Sequence, residues 1–187
     1  TLGAGRYPAM MSLPTVFWLL LIIFGTIGGM RGWAKEILVL FSLVLALFID
    51  TLIKQYVLNV PNIENALQTQ GAMMMFYVRA TFFILLAFFG YETPAVVSGL
   101  AGKGKRERLQ DILLGVVIGM LNGYLLIGTI WFYLHQANYQ LPGIIPPPPN
   151  DSNILNYIKY MPPGVIGPPY IYFAVAVAFV FVIVVFL

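Results

Sequence analysis

The chain has no cysteine, which excludes disulfides, iron–sulfur clusters and thiolate zinc sites from the start. Imidazole is almost as scarce. His135 is the single histidine, so there is no histidine cluster for a metal and no nucleophile paired with a base around it. Charge is the third shortage: Asp, Glu, Lys and Arg make up 9% of the residues, against about a quarter in soluble domains, while 60% are hydrophobic. A soluble fold cannot hide that much apolar surface. The apolar residues fall in long blocks between short polar stretches, which is the pattern of membrane spans. No catalytic residue, metal site or cofactor is expected, and the chain reads as a non-enzyme in the lipid bilayer.

What is present is organised around five apolar blocks, at 14–30, 37–53, 72–91, 112–134 and 170–187. At a rise of about 1.5 Å per residue each reaches across most or all of a hydrocarbon core of about 30 Å. The fold class is therefore all-α, a polytopic integral membrane protein with about five transmembrane helices. The first block reads as a retained helix rather than a cleaved signal peptide, because its glycine-rich end runs directly into the second block.

The few charges carry topology. Arg31, Lys35, Lys103, Lys105, Arg106 and Arg108 fall in loops one and three, and Arg6, Lys54 and Lys159 fall on the other side. The excess of Lys and Arg marks the cytoplasmic side, which puts the N-terminus outside and, after five spans, the C-terminus in the cytoplasm. Basic residues at block ends suit lipid headgroups, and nucleic acid is not an expected partner.

The outer loop, 135–169, contains a proline run at 146–149 and further prolines at 162, 163, 168 and 169, and so reads as stiff and extended. Within it Asp151 or Ser152 is placed to cap a short helix whose Ile154, Leu155, Ile158 and Met161 share one face, suited to lying on the membrane or on a partner.

Three constellations stand out. Gly115, Gly119 and Gly123 recur every four residues, a flat strip where another helix backbone can approach; Gly25 and Gly29, like Gly28 and Gly32, have the same spacing, so the first and fourth spans are expected to pack there. Arg31, Trp33, Lys35 and Glu36 form a turn at the membrane interface, where a continued helix would put Arg31 and Lys35 on one face toward anionic headgroups. Asp50 and Arg79 lie inside spans at comparable depths near the outer face and are expected to form an ion pair, since a lone intramembrane charge is costly. The run from Gly99 to Lys105 has phosphate-loop spacing, but Arg106 stands where Ser or Thr is required and no strand precedes it, so it reads as a flexible basic loop.

The segment Arg31-Gly32-Trp33-Ala34-Lys35-Glu36-Ile37, which follows Gly25, Gly28 and Gly29, and the segment Asp111-Ile112-Leu113-Leu114-Gly115, which precedes Gly119, Asn122 and Gly123, carry a resemblance. Together they resemble the colicin V production protein (CvpA) family, whose first helix ends in an RG-x-x-R/K-E turn and whose last helix opens with a glycine-rich, DRLLG-like segment. The resemblance covers residues 16–134 and departs from the family at Ile112 and Asn122, where basic residues are usual. It implies a four-helix membrane domain over 1–134, with the loop at 135–169 and the fifth helix at 170–187 as additions. It further implies a bacterial inner-membrane protein linked to export and envelope homeostasis, acting through helix packing and contacts with other membrane proteins or copies of itself. Two other readings stand beside it. The nearly uncharged fifth helix and stiff loop suit an accessory subunit of a larger respiratory or photosynthetic complex, and Asp50 with Arg79 leaves a small transporter or channel as a third.

Overall fold

The structure, a computed structural model, describes residues 12–58, 71–91, 105–139 and 152–186. Helix α1 (Leu13–Arg31) starts where Ser12 Oγ accepts the Thr15 N–H, with Pro14 in the first turn, where its missing N–H costs nothing. It stops at Gly32, whose φ of +85° breaks the helix while its N–H still closes on Gly28 O. No loop intervenes. Trp33 is the first residue of α2 (Trp33–Leu52), which runs on into a π-helical stretch, Ile53–Leu58. Helices α3 (Ala72–Tyr91) and α4 (Lys105–Gln136) complete a four-helix bundle. Among the described residues Leu13–Arg31, Trp33–Tyr56, Met73–Tyr91 and Arg108–Gln136 are long and apolar enough to cross a membrane. Helix α4 takes in Lys105, Arg106 and Arg108, so these basic residues extend a helix that the apolar block alone would start at Ile112.

Helix α2 is the centre of the molecule. Its Val39, Leu43, Ala46 and Leu47 recur at three- and four-residue steps, are fully or nearly fully buried, and face α3 and α4. Helix α1 packs most extensively against α4. The outward faces are as apolar as the core: Trp18, Ile22, Phe89, Val117 and Val177 are all exposed. That is the arrangement of helices solvated by lipid, where only helices with internally satisfied backbones survive.

Two expectations meet the structure here. The fifth block does form a helix, α7 (Tyr170–Phe186), lying antiparallel to α2 through ring contacts Phe48–Tyr172 and Phe41–Phe181. Its 17 residues reach roughly 26 Å, shorter than a hydrocarbon core of about 30 Å. Among the described residues four helices are therefore long and apolar enough to count as spans, and α7 is a shorter apolar helix beside them. The short helix expected in the outer loop is α5 (Ser152–Lys159), succeeded by one turn, α6 (Pro162–Val165). It packs on the chain itself: Ile158, Met161 and Pro162 are buried, Tyr157 stacks on Trp131, and a Cβ at Gly128 of α4 would sit 2.7 Å from Pro162 Cδ. Leu155, expected on the same face, is exposed. His135 borders Tyr139 just past α4, where burial raises the Tyr139 phenol pKa and a hydrogen bond donated by Trp131 works against the rise.

Candidate functional site

The α1–α4 seam is backbone against backbone. A Cβ on Gly28 would clash with the Gly115 carbonyl oxygen and lie 2.8 Å from Gly119 Cα, and one on Gly119 would lie 2.9 Å from Gly28 Cα. Helices come this close only where side chains are absent, and in lipid such packing supplies much of the attraction between them. The centre of the α1 face is thus Gly28. Gly25 and Gly29 flank it and meet side chains instead, Met120 Cγ at 2.6 Å and Val116 Cγ2 at 2.7 Å. Gly123 packs on the Phe24 side chain.

At the end of the bundle where α1 gives way to α2, the turn folds inward. Glu36 is 1% exposed and receives Arg31 Nη1 at 2.8 Å and Asn122 Nδ2 at 2.8 Å, while Asn122 Nδ2 also reaches the Glu36 carbonyl oxygen at 2.9 Å. Arg31 Nη2 donates to Tyr91 O at 3.2 Å and the guanidinium lies 4.5 Å from the centre of the Tyr91 ring. Asp111, at the start of α4, accepts the Trp33 N–H at 3.0 Å. A carboxylate there satisfies a free donor of α2 and meets the positive end of its dipole. One cluster therefore ties together α1, α2, α3 and α4. The helix break at Gly32 overturns the expectation that Arg31 and Lys35 share a face: Arg31 turns in to Glu36 and Lys35 alone is exposed, with Trp33 half-buried between them.

At the opposite end Arg79 Nε donates to Asp50 Oδ1 at 2.8 Å and Nη2 to Oδ2 at 3.0 Å, a two-point grip that suits guanidinium and carboxylate. Arg79 Nη1 reaches Gln136 Oε1 at 2.6 Å, and the guanidinium sits 3.8 Å from the centre of the Tyr133 ring. Lys54, one turn beyond Asp50, adds a second cation at 3.0 Å from Oδ2. This cluster links α2, α3 and α4. A cavity of about 640 Å³ opens beside it, lined by Asp50, Thr51, Lys54 and Gln55 on one side and by Pro163 and Tyr172 on the other.

The profile of the family described as Colicin V production protein matches residues 13–161. The chain belongs to that family. No curated protein and no solved structure matches it. As a member of that family with four candidate spans it is a multi-pass helical membrane protein, and among the described residues no group of three or more His, Asp or Glu is placed to hold a metal. The match also corrects the extent of the resemblance. It runs past residue 134 to 161, so α5 falls inside the family's span, and α6 and α7 lie beyond it.

Three contributors escape the sequence, and a fourth, Gly28, is narrowed by it only to a set of glycines. Asn122 is a neutral amide in a glycine-rich helix, and it donates to buried Glu36. Asp111 belongs to the motif, but its target, a backbone N–H 78 positions away, has no sequence signal. Lys54 reads as a loop charge, and the one clue is its four-residue spacing from Asp50. Gly28 is one of three glycines, and only the helix crossing picks it out. Arg6, Glu92, Lys103, Asp151, the glycine–lysine run up to Gly104 and the proline run at 146–149 lie outside the described residues.

Proposed function

We propose that this colicin V production protein is a non-enzymatic structural component of the inner membrane that serves export and envelope homeostasis by presenting a rigid helical surface to other membrane proteins. The observation that carries this reading is what the intramembrane charges do. Glu36 with Arg31, and Asp50 with Arg79 and Lys54, cross-link helices at the two ends of the bundle. Buried ion pairs of this kind fix which helix meets which more than they add net stability. A transported ion or substrate needs groups that change partners, and the doubly held Asp50–Arg79 pair is poorly suited to that.

In this reading the N-terminus lies outside, the loop carrying Arg31 and Lys35 and the one before α4 face the cytoplasm, the α5–α6 segment faces outward, and α7 crosses the membrane as a fifth span. Antiparallel contact of α7 with α2 supports the crossing, and the neighbouring bilayer thins to match a short helix at modest cost. The docking surface is the outer face of α7, where Phe173, Val177 and Val180 are exposed and the helix carries no charged residue. The same face favours an accessory subunit as second reading. Gentle detergent extraction from the native membrane, with mass spectrometry of the co-purifying proteins, separates them. A small set of export or envelope proteins, or copies of the chain alone, is expected; a stoichiometric respiratory or photosynthetic complex would replace this reading with the subunit one.

A further inference from the structure

The seam between α2 and α7 holds two cavities in line. The polar one, about 640 Å³, has Thr51, Lys54 and Gln55 in its wall. An apolar groove of about 240 Å³ lies farther along the same two helices, between Leu38, Phe41 and Leu45 of α2 and Val175, Phe179 and Val182 of α7. From Lys54 back to Leu45 is about 14 Å by helix rise, the order of a phospholipid's reach from headgroup to mid-chain. Lys54 and Asp50 line the polar cavity, and Arg79 stands behind it on Asp50, so the three groups together leave one net positive charge beside the cavity. Arg79 grips both oxygens of Asp50, whereas Lys54 directs one of its three ammonium donors at it and stays 34% exposed at the cavity wall.

We propose that this seam binds an anionic phospholipid, with the phosphate against Lys54 and one acyl chain in the groove between α2 and α7. Basic pockets between membrane helices select acidic headgroups because positive charge in a region of low dielectric attracts phosphate strongly. The collinear groove explains why the occupant is a lipid rather than a free anion. A phosphate alone fills the first cavity and leaves the second empty. The inference rests on the proposed crossing of α7, which is tested on its own by labelling single cysteines at Val184 and Ser152 with an impermeant reagent. Opposite sides support the crossing, and the same side removes it without touching the polar cavity.

The binding test uses the full-length protein, stripped of lipid in detergent, with thermal unfolding monitored as lipid is added. Phosphatidylglycerol is expected to raise the melting temperature saturably, and phosphatidylcholine to do so far less. Lys54→Met should weaken the phosphatidylglycerol response about fivefold, the effect of one cation near a charged headgroup, and Lys54→Arg should keep it. Leu45→Trp, which fills the groove from a partly exposed position, should weaken the phosphatidylglycerol response and leave any response to inorganic phosphate unchanged. Equal responses to the two lipids would overturn the proposal, as would a phosphate response equal to that of phosphatidylglycerol and indifferent to Leu45→Trp. If Lys54→Met fails to fold, retention by Lys54→Arg and loss by Leu45→Trp still decide it.

Discussion

At the scale of single residues, the asymmetry of the Asp50 cluster makes a prediction that a simple pair does not. Asp50 holds two cations, so Asp50→Asn strands both Arg79 and Lys54, whereas Arg79→Leu leaves Asp50 paired with Lys54. Thermal unfolding in detergent should therefore show the larger loss for Asp50→Asn, near the upper end of the roughly 3–5 kcal/mol that breaking a buried pair costs, and a smaller one for Arg79→Leu. Equal losses would mean that Lys54 contributes nothing to the site. At the other end Asn122→Leu removes both hydrogen bonds reaching Glu36 from α4 and should cost about 1–3 kcal/mol in the same measurement. An unchanged melting temperature would show that Arg31 alone satisfies the carboxylate. How much of these sites the sequence reveals depends on whether its signal is local. Asp50 and Arg79 are legible because each is a charge inside an apolar block and simple helix rise puts them at similar depth. Asn122 is not, because a neutral amide in a glycine-rich helix announces no partner.

At the scale of elements, the glycines rank by what a methyl group would strike. Gly28→Ala pushes against backbone atoms of Gly115 and Gly119, which cannot yield, while Gly25→Ala meets the flexible end of Met120. Overpacking of the first kind costs typically about 1–3 kcal/mol, and the second is relieved by a rotamer change. Gly28→Ala and Gly119→Leu should thus lower thermal stability or folded yield clearly, with Gly25→Ala and the lipid-facing Val117→Leu mild by comparison. Parity between Gly28→Ala and Gly25→Ala would show that the helices do not touch at Gly28. The four-residue glycine spacing marks both helices in the sequence, but not their crossing point, which depends on interhelical geometry. Helix boundaries show a similar divide. The turn between α1 and α2 is legible from its charges, but that Arg31 and Lys35 part from a common face is not, because it depends on the positive φ of Gly32.

At the scale of the whole molecule, the ion-pair clusters place the start of α2, the ends of α1 and α3 and the start of α4 together, and the end of α2 with Arg79 and Gln136 opposite. With the basic residues biased toward the first end, single cysteines at Lys105 and Ser152 should react with an impermeant reagent from opposite sides of the membrane, and reaction from one side would break this topology. The central claim is that the intramembrane charges hold the bundle together rather than carry anything through it. Its most direct test is a double-mutant cycle on Asp50 and Arg79 in the full-length protein, read by thermal unfolding and by recovery of co-purifying partners. The account predicts that Asp50→Asn and Arg79→Leu together recover part of the stability lost by Asp50→Asn alone, with a coupling on the order of 1–3 kcal/mol, and that the double variant still recovers the partners of the unaltered protein. Additive losses, or a double variant that folds normally yet no longer recovers those partners, would contradict it.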